Sequence, residues 1–327
     1  MSSITLVTSS DEHLSDQNPG FRKDDYRGSI LKKLDWQGDL VNRVNADLLV
    51  RGGDLFHIKA ANKTTHGTMQ RLMEIHRSYK CPTYSLSGNH DMTNNDPDSI
   101  MKGQPLGVLF KSGVVHKLDE TVIEKGSLKC RVIGIDYTPD MDIEYIREKV
   151  TKKSNDLYVV AVIHALASYA PSEKIQSFFN EKIIDYRDLI FNGCPDAYVF
   201  GHYHKDQGIQ EHEGVQFVNL GAVSRGSLTF ENLDRKPKVS TITMNSSGLS
   251  IEEHIIPHED SSEIFDLDLK KRLDMERKDL DDFIKHLRHT EDNSIDDRRS
   301  ELESFPSDLK SLALEVLEAA ESGVLDE

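Results

Sequence analysis

Five short fragments place metal-ligating side chains directly after apolar runs. They are Asp11-x-His13, Gly53-Asp54, Gly88-Asn89-His90-Asp91, His164 and Gly201-His202-x-His204. Carboxylate, imidazole and amide oxygen together suit borderline or hard divalent cations such as Mn²⁺, Fe²⁺ or Zn²⁺. No cysteine joins them, which argues against a structural zinc site. Residues two apart in extended backbone point the same way, so Asp11 with His13, and His202 with His204, are each expected to converge on one side. Asp54 stands at the tip of Arg51-Gly52-Gly53-Asp54 and is expected to bridge two cations. Two cations so held neutralise the oxygens of a phosphodiester and acidify a bound water, and an imidazole on the opposite side can protonate the departing oxygen.

The elements that must position these groups read as an alternation of strands and helices. Residues 4–10 form a strand ending at Asp11. Apolar residues at Ile30, Leu34, Val41 and Val44 give a helix weakened by Gly38, and Ala46–Val50 is the buried strand that delivers Asp54. Strand, helix, strand in that order is a parallel unit, and ligands gather at the carboxyl ends of such strands. A second helix is predicted from Thr65, with Met69, Leu72, Met73 and His76 on one face, and Cys81-Pro82 ends it. Strands follow at Thr83–Leu86, Cys130–Ile135, Leu157–Ile163 and Asp196–Phe200, with helical stretches near Ile143–Val150 and up to Ile190. Val215–Leu220, Val239–Met244 and Leu249–Ile256 alternate as antiparallel strands. The remaining histidines, among them His66, His76 and His212, match no motif position and read as structural or solvated.

The composition shifts near Glu259, giving a boundary at about residue 258: a body, 1–258, and an acidic helical tail, 259–327. The tail has 22 acidic and 10 basic residues, so it holds −12 of the formal −16 and leaves the body near neutral. A phosphodiester substrate is therefore not excluded, although no basic stripe announces one. In the tail, Leu273, Leu280, Phe283, Ile284 and Leu287 suit one helical face, and Pro306-Ser307-Asp308 starts a second amphipathic helix. Three scattered cysteines give neither a disulfide framework nor zinc spacing, and a reducing cytoplasm is expected. No run of about 18 apolar residues suggests a membrane span, and the first residues read as a strand rather than a signal peptide.

Taken in order, D-x-H, G-D, G-N-H-D, H and G-H-x-H resemble the calcineurin-like metallophosphoesterase superfamily over roughly residues 1–250. Within it, Gly53-Asp54-Leu55-Phe56-His57 resembles the nuclease subunit of SbcCD-type double-strand-break repair complexes. The segment Asn18-Pro19 to Arg27 is similar to phage and bacterial members, and Gly221-Ala222-Val223-Ser224-Arg225 to the turn those nucleases carry after G-H-x-H. The resemblance implies an α/β fold: two mixed β-sheets packed as a sandwich flanked by helices, with a small helical C-terminal appendage. It implies that Asp11, His13, Asp54 and His204 hold one metal, and that Asp54, Asn89, His164 and His202 hold the second. Manganese is the expected ion, with magnesium, iron or zinc as alternatives. His90 would face the scissile phosphate, His57 would touch substrate or orient the site, Asp91 would fix a neighbouring imidazole from behind, and Arg225 would be either a phosphate contact or an ordinary turn residue. Arg22, Lys23, Lys59 and Lys63 are further candidate contacts to a DNA backbone.

The implied activity is DNA hydrolysis, exonucleolytic or endonucleolytic, beside an SbcC-like coiled-coil ATPase and as a homodimer. A phosphatase or cyclic-nucleotide phosphodiesterase would keep every ligand and change only the pocket. Two departures stand out: His13-Leu14-Ser15 replaces His-Leu-Gly, and the region after Glu259 is short for both a DNA-capping domain and ATPase-binding helices.

Overall fold

The computed structural model describes residues 2–57, 64–139, 141–171, 181–272, 274–275 and 278 of the chain. The chain divides into two compact units, Met1–Phe265 and Asp266–Glu327. The helices expected around Leu280 and after Pro306 lie outside the described residues.

The first unit begins with β1 (Ile4–Ser9), α1 (Tyr26–Arg43), β2 (Leu48–Arg51), α2 (His66–Arg77) and β3 (Thr83–Ser85). Then come α3 (Asp98–Gly103), α4 (Pro105–Ser112), β4 (His116–Lys117), β5 (Glu120–Lys125), β6 (Leu128–Ile135) and α5 (Ile143–Val150). The second sheet is continued by β7 (Tyr158–Ala165), β10 (Ala197–His202), β11 (Gly208–His212) and β12 (Val215–Asn219), with a minor pair, β8 (Ala167–Ser168) and β9 (Ile184–Asp185), between β7 and β10. Last are α6 (Phe230–Asp234), β13 (Lys238–Asn245), β14 (Gly248–Ile255) and α7 (Ser261–Ile264).

Two six-stranded sheets result, in the orders β14-β13-β1-β2-β3-β4 and β11-β12-β10-β7-β6-β5. Both are mixed. β1, β2, β3 and β4 run parallel, β13 is antiparallel to β1 and β14 antiparallel to β13, while β6, β7, β10 and β12 run parallel with antiparallel β5 and β11 at the edges. The expected α/β sandwich of two mixed sheets flanked by helices is the fold observed.

Period-two alternation shows how the layers form. Ile4, Leu6, Leu48 and Val50 of the first sheet meet Val132, Val160, Val162 and Val199 of the second in a shared core. The opposite faces carry Val7 and Leu49 against Ile30, Leu34 and Leu72 of α1 and α2. On the other side Val159, Ala161 and Ile163 lie against Ile146 and Val150 of α5. Thr65 caps α2 by accepting from the Thr68 amide, at the predicted start.

Sequence expectation and structure differ in two places. The helical stretch leading to Ile190 is, in its described part, the β8/β9 pair followed by a 3-10 turn at Tyr186–Leu189. The body also extends past residue 258: Ile264 and Phe265 are buried, and Lys23 donates its amide to the Ile264 carbonyl. Among the described residues no helix is long and apolar enough to cross a membrane.

Candidate metal centre

The five fragments meet where strands of both sheets end. Backbone bonds join them: the amides of Asp11 and His13 donate to the carbonyls of Gly53 and Asp54, at 3.1 and 3.0 Å. Asp11 then accepts the His202 amide on its carboxylate at 3.1 Å. This convergence does not use extended backbone. Asp11, His13, Asp54 and His202 all have positive φ, at 57°, 49°, 52° and 82°. Asp and His tolerate this left-handed region better than most residues, yet four such positions in one site amount to stored backbone strain. Side-chain alternation along a strand therefore does not set the convergence, and His202 and His204 serve different clusters.

The first cluster joins Asp11, His13, Asp54 and His204, and the second joins Asp54, His164 and His202. Asp54 belongs to both. Its Oδ1 accepts the His90 amide at 2.8 Å, and its Oδ2 lies 3.7 Å from His13 Nε2 and 3.4 Å from His164 Nε2. His164 donates from Nδ1 to the Gly52 carbonyl at 2.6 Å, so Nε2 is the nitrogen that faces Asp54. Gly53 and Gly88 make this approach possible. A Cβ on Gly53, at φ +99°, would stand 2.4 Å from His164 Nδ1, and one on Gly88 would stand 2.0 Å from Asp54 Oδ1.

Burial without a cation distorts the ionisation of these groups. It pushes the Asp11 carboxyl up to about 6 and holds His13 well below its ordinary value. Burial also acts against the charge of Asp54 and of His164, but the two offset it for each other: His164 holds Asp54 well below the usual carboxylate range, and Asp54 raises His164 to about 9. His13 Nε2 and His204 Nε2 lie 2.9 Å apart. The cavity thus concentrates lone pairs and calls for positive charge. Three atoms show this directly: Asp54 Oδ2, Asn89 Oδ1 and His164 Nε2 are buried with no hydrogen-bond partner. Such orphaned buried polar atoms are costly unless an ion completes the site. The donor set fits a pair of divalent cations.

The other predicted residues fall around this core. His90 donates from Nδ1 to the His57 carbonyl at 3.1 Å, and the two rings stack 5.4 Å apart. His13, His57, His90 and His204 form one side of a cleft of about 410 Å3, and Pro19, Phe21, Ser224 and Asn232 are on its lining as well. Asp91 does not fix an imidazole. Its two oxygens accept the amides of Phe56 and Gly88, each at 3.0 Å, tying the Asp54 loop to the Asn89 loop. Burial, reinforced by the charge of Asp54, pushes Asp91 up to about 8.

Arg225 is buried, and its guanidinium is committed to the Glu259 carbonyl and to Ser261 Oγ, the latter at 3.1 Å. A bracing role fits that placement better than a phosphate contact. Arg22 is buried as well, paired with Asp24 at 2.6 Å and bonded to the Arg225 carbonyl. Lys59 and Lys63 lie outside the described residues.

The structure adds Arg235, Lys33 and Glu12, to which no motif pointed. Four successive carbonyls, Ala222 to Arg225, are each taken by a cationic side chain: Arg235 holds those of Ala222 and Ser224, Lys33 that of Val223, and Arg22 that of Arg225. The amides of the same segment bond the carbonyls of His204, Ser10 and Asp11. Beneath the site, Glu12 pairs with Arg51, and both are fully buried.

Residues 8–206 match the family described as calcineurin-like phosphoesterase. The DNA double-strand break repair protein Mre11 of Archaeoglobus fulgidus is 23% identical over 198 residues, 56% of this chain and 42% of that protein. The chain thus matches less than half the length of that relative. A structure described as a novel archaeal phosphodiesterase aligns over 77% of this chain and 99% of its own, at 12% identity and TM-score 0.37. TT1561 of Thermus thermophilus aligns over 78% of this chain and 100% of its own, at 11% identity and TM-score 0.46. With the family match spanning more than half its length and carrying every ligand-bearing fragment, the chain belongs to the calcineurin-like phosphoesterase family, whose members are metal-dependent phosphoester hydrolases.

Proposed function

We propose that the protein is a two-metal phosphodiesterase that hydrolyses DNA, acting as the nuclease subunit of an SbcCD-like repair or recombination complex. The observation carrying the two-metal reading is Asp54, whose partnerless Oδ2 faces both clusters. In this reading Asp11, His13, Asp54 and His204 hold one cation, and Asp54, Asn89, His164 and His202 hold the other. When bound, a pair of divalent cations neutralises the phosphoryl oxygens and acidifies the attacking water.

The chain's own groups do the rest. The cleft admits the scissile phosphate beside His13, His90 and His204. His90 holds its Nδ1–H on the His57 carbonyl, and as the doubly protonated imidazolium it hydrogen-bonds the departing oxygen through Nε2–H and gives it that proton. His57 stacks on His90 and holds that geometry. Water replaces the leaving alcohol on phosphorus, so the products are a phosphomonoester end and a free hydroxyl.

The DNA assignment is supported by the Mre11 relative and by His57 three residues after Asp54. By the same analogy the partners are DNA, a coiled-coil ATPase docked by the tail and a second copy of the chain, and manganese is the working ion. A division into a catalytic body and an acidic tail, with the boundary after Phe265 rather than at 258, belongs to this proposal.

One observation favours a small phosphoester instead: Arg22 and Arg225, candidate phosphate contacts, are buried in structural bonds. Incubation of the purified protein with Mn²⁺ and linear duplex DNA, in parallel with a generic bis-ester, separates the readings. DNA degradation is expected. Rapid bis-ester turnover with DNA intact, with or without the ATPase, would select the small-substrate enzyme.

A further inference from the structure

His202 is held on both sides by carboxylates. Its backbone amide donates to Asp11, and its Nε2 lies 3.0 Å from Glu181 Oε2. Glu181 in turn accepts from the Tyr137 hydroxyl on Oε1 at 3.3 Å. The Tyr137 ring lies 5.1 Å from the His202 ring, so carboxylate and phenol box the imidazole together. An ionised carboxylate has no proton to give, and a neutral imidazole carries only one. The proton must therefore sit on Nε2, and Nδ1 keeps the lone pair.

Resting on the two-cation reading above, we infer that Glu181 is a positioning residue: by accepting the His202 Nε2–H it reserves His202 Nδ1 for the cation shared with Asp54 and His164. A carboxylate behind a ligating histidine fixes its tautomer and ring orientation and raises its basicity, and loss of such a partner costs about 10–100-fold in metal affinity. His164 already follows this rule through the Gly52 carbonyl, in the opposite sense, with Nε2 left free. The two imidazoles of the second cluster thus present different ring nitrogens, each selected by the acceptor behind it. Glu181 lies far from every ligand motif in the sequence and is about one-third exposed, so a packing role does not account for its contact with His202.

The test uses the full chain, its Glu181→Ala and Glu181→Gln variants, and Mn²⁺ alone. Two readouts are independent of turnover: calorimetric titration of Mn²⁺, and histidine ¹⁵N spectra of the metal-free protein. The wild type is expected to bind two cations and to show His202 as the Nε2–H form. Glu181→Ala should weaken one binding event about 10–100-fold, leave the other unchanged, and lose the single tautomer. Glu181→Gln retains an acceptor oxygen and should recover part of both losses, with the melting temperature of the metal-free protein unchanged in each variant.

Unaltered binding of both cations by Glu181→Ala would overturn the inference. So would an equal loss at both sites together with a lowered melting temperature, which would mark a purely structural role. A wild type that binds fewer than two cations would overturn the inference together with the reading beneath it. Failure of the DNA assignment alone shows separately, as a wild type that binds two cations and leaves DNA intact.

Discussion

Asp54 and His90 sit one hydrogen bond apart yet carry separable duties. Asp54→Asn removes the charge facing both clusters, so Mn²⁺ stoichiometry should fall along with activity. His90→Gln leaves the Asp54 ligand set intact; kcat should fall about 10²–10⁴-fold while Mn²⁺ titration stays at the wild-type stoichiometry. Equal loss of metal by His90→Gln would contradict that division. Gly53 offers a sharper structural test, because its φ of +99° and the nearby His164 leave no room for a methyl group. Gly53→Ala should cost about 1–3 kcal/mol in denaturant unfolding and displace His164 from the Gly52 carbonyl. At this scale the sequence was legible in identity and opaque in geometry. Asp11, His13, Asp54, His164, His202 and His204 come together as their types and order implied. Nothing in Asp11-x-His13 announces left-handed backbone, because Asp and His adopt it only where tertiary bonds to Gly53 and Asp54 hold them there. Asp91 and Arg225 misled for a common reason: a charged side chain near a ligand motif reads as chemistry until the backbone groups it satisfies are visible.

Between residue and domain, the segment from Ala222 to Arg225 acts as a strut. Its amides hold the carbonyls of Ser10, Asp11 and His204, and its own carbonyls are capped by Arg235, Lys33 and Arg22. Arg235→Met would strand the carbonyls of Ala222 and Ser224, and unfolding free energy should drop by about 2–5 kcal/mol. Urea titration measures this, and an unchanged midpoint would remove the strut from the account.

The layer between β2 and α2 supplies a pH dependence. Arg51 donates from Nε to His76 Nε2 at 3.2 Å, and His76 donates from Nδ1 to the Leu72 carbonyl at 2.8 Å, so the ring is neutral. Burial, and then the Arg51 charge, lower His76 from 6.5 to about 3. The folded value lies below the unfolded one, so the stabilisation is fully present above pH 6.5 and is lost as pH falls from there toward 3. That loss is on the order of a few kcal/mol. His76→Gln should flatten this part of the stability profile; parallel profiles for the two proteins would refute it. The α1 and α2 periodicities foretold the helices, but not that His76 anchors a buried arginine, since its partner lies across a layer.

On the scale of the whole molecule, the site exists only when both sheets are assembled. His13 and His204 approach within 2.9 Å across 191 residues of chain, one at the end of the first sheet and one after the second. The alternation of strands and helices made the parallel units readable and the family resemblance made the sandwich readable; Glu181 and the basic strut were not, because contacts of such long range leave no local pattern. Cation binding must therefore be linked to global folding. Free Mn²⁺ at about 100 times its Kd should add about 2.7 kcal/mol per site, a chelator should reverse the gain, and Asp54→Asn should show little of it.

The central claim is that Asp54 joins two cations at the rim of the two sheets. Anomalous diffraction from crystals grown with Mn²⁺ tests this most directly. The account predicts two peaks about 3.5–4 Å apart, one among Asp11, His13 and His204, the other among Asn89, His164 and His202, with Asp54 Oδ2 between them. A single peak, or none, with Asp54 turned away from either cluster would contradict it.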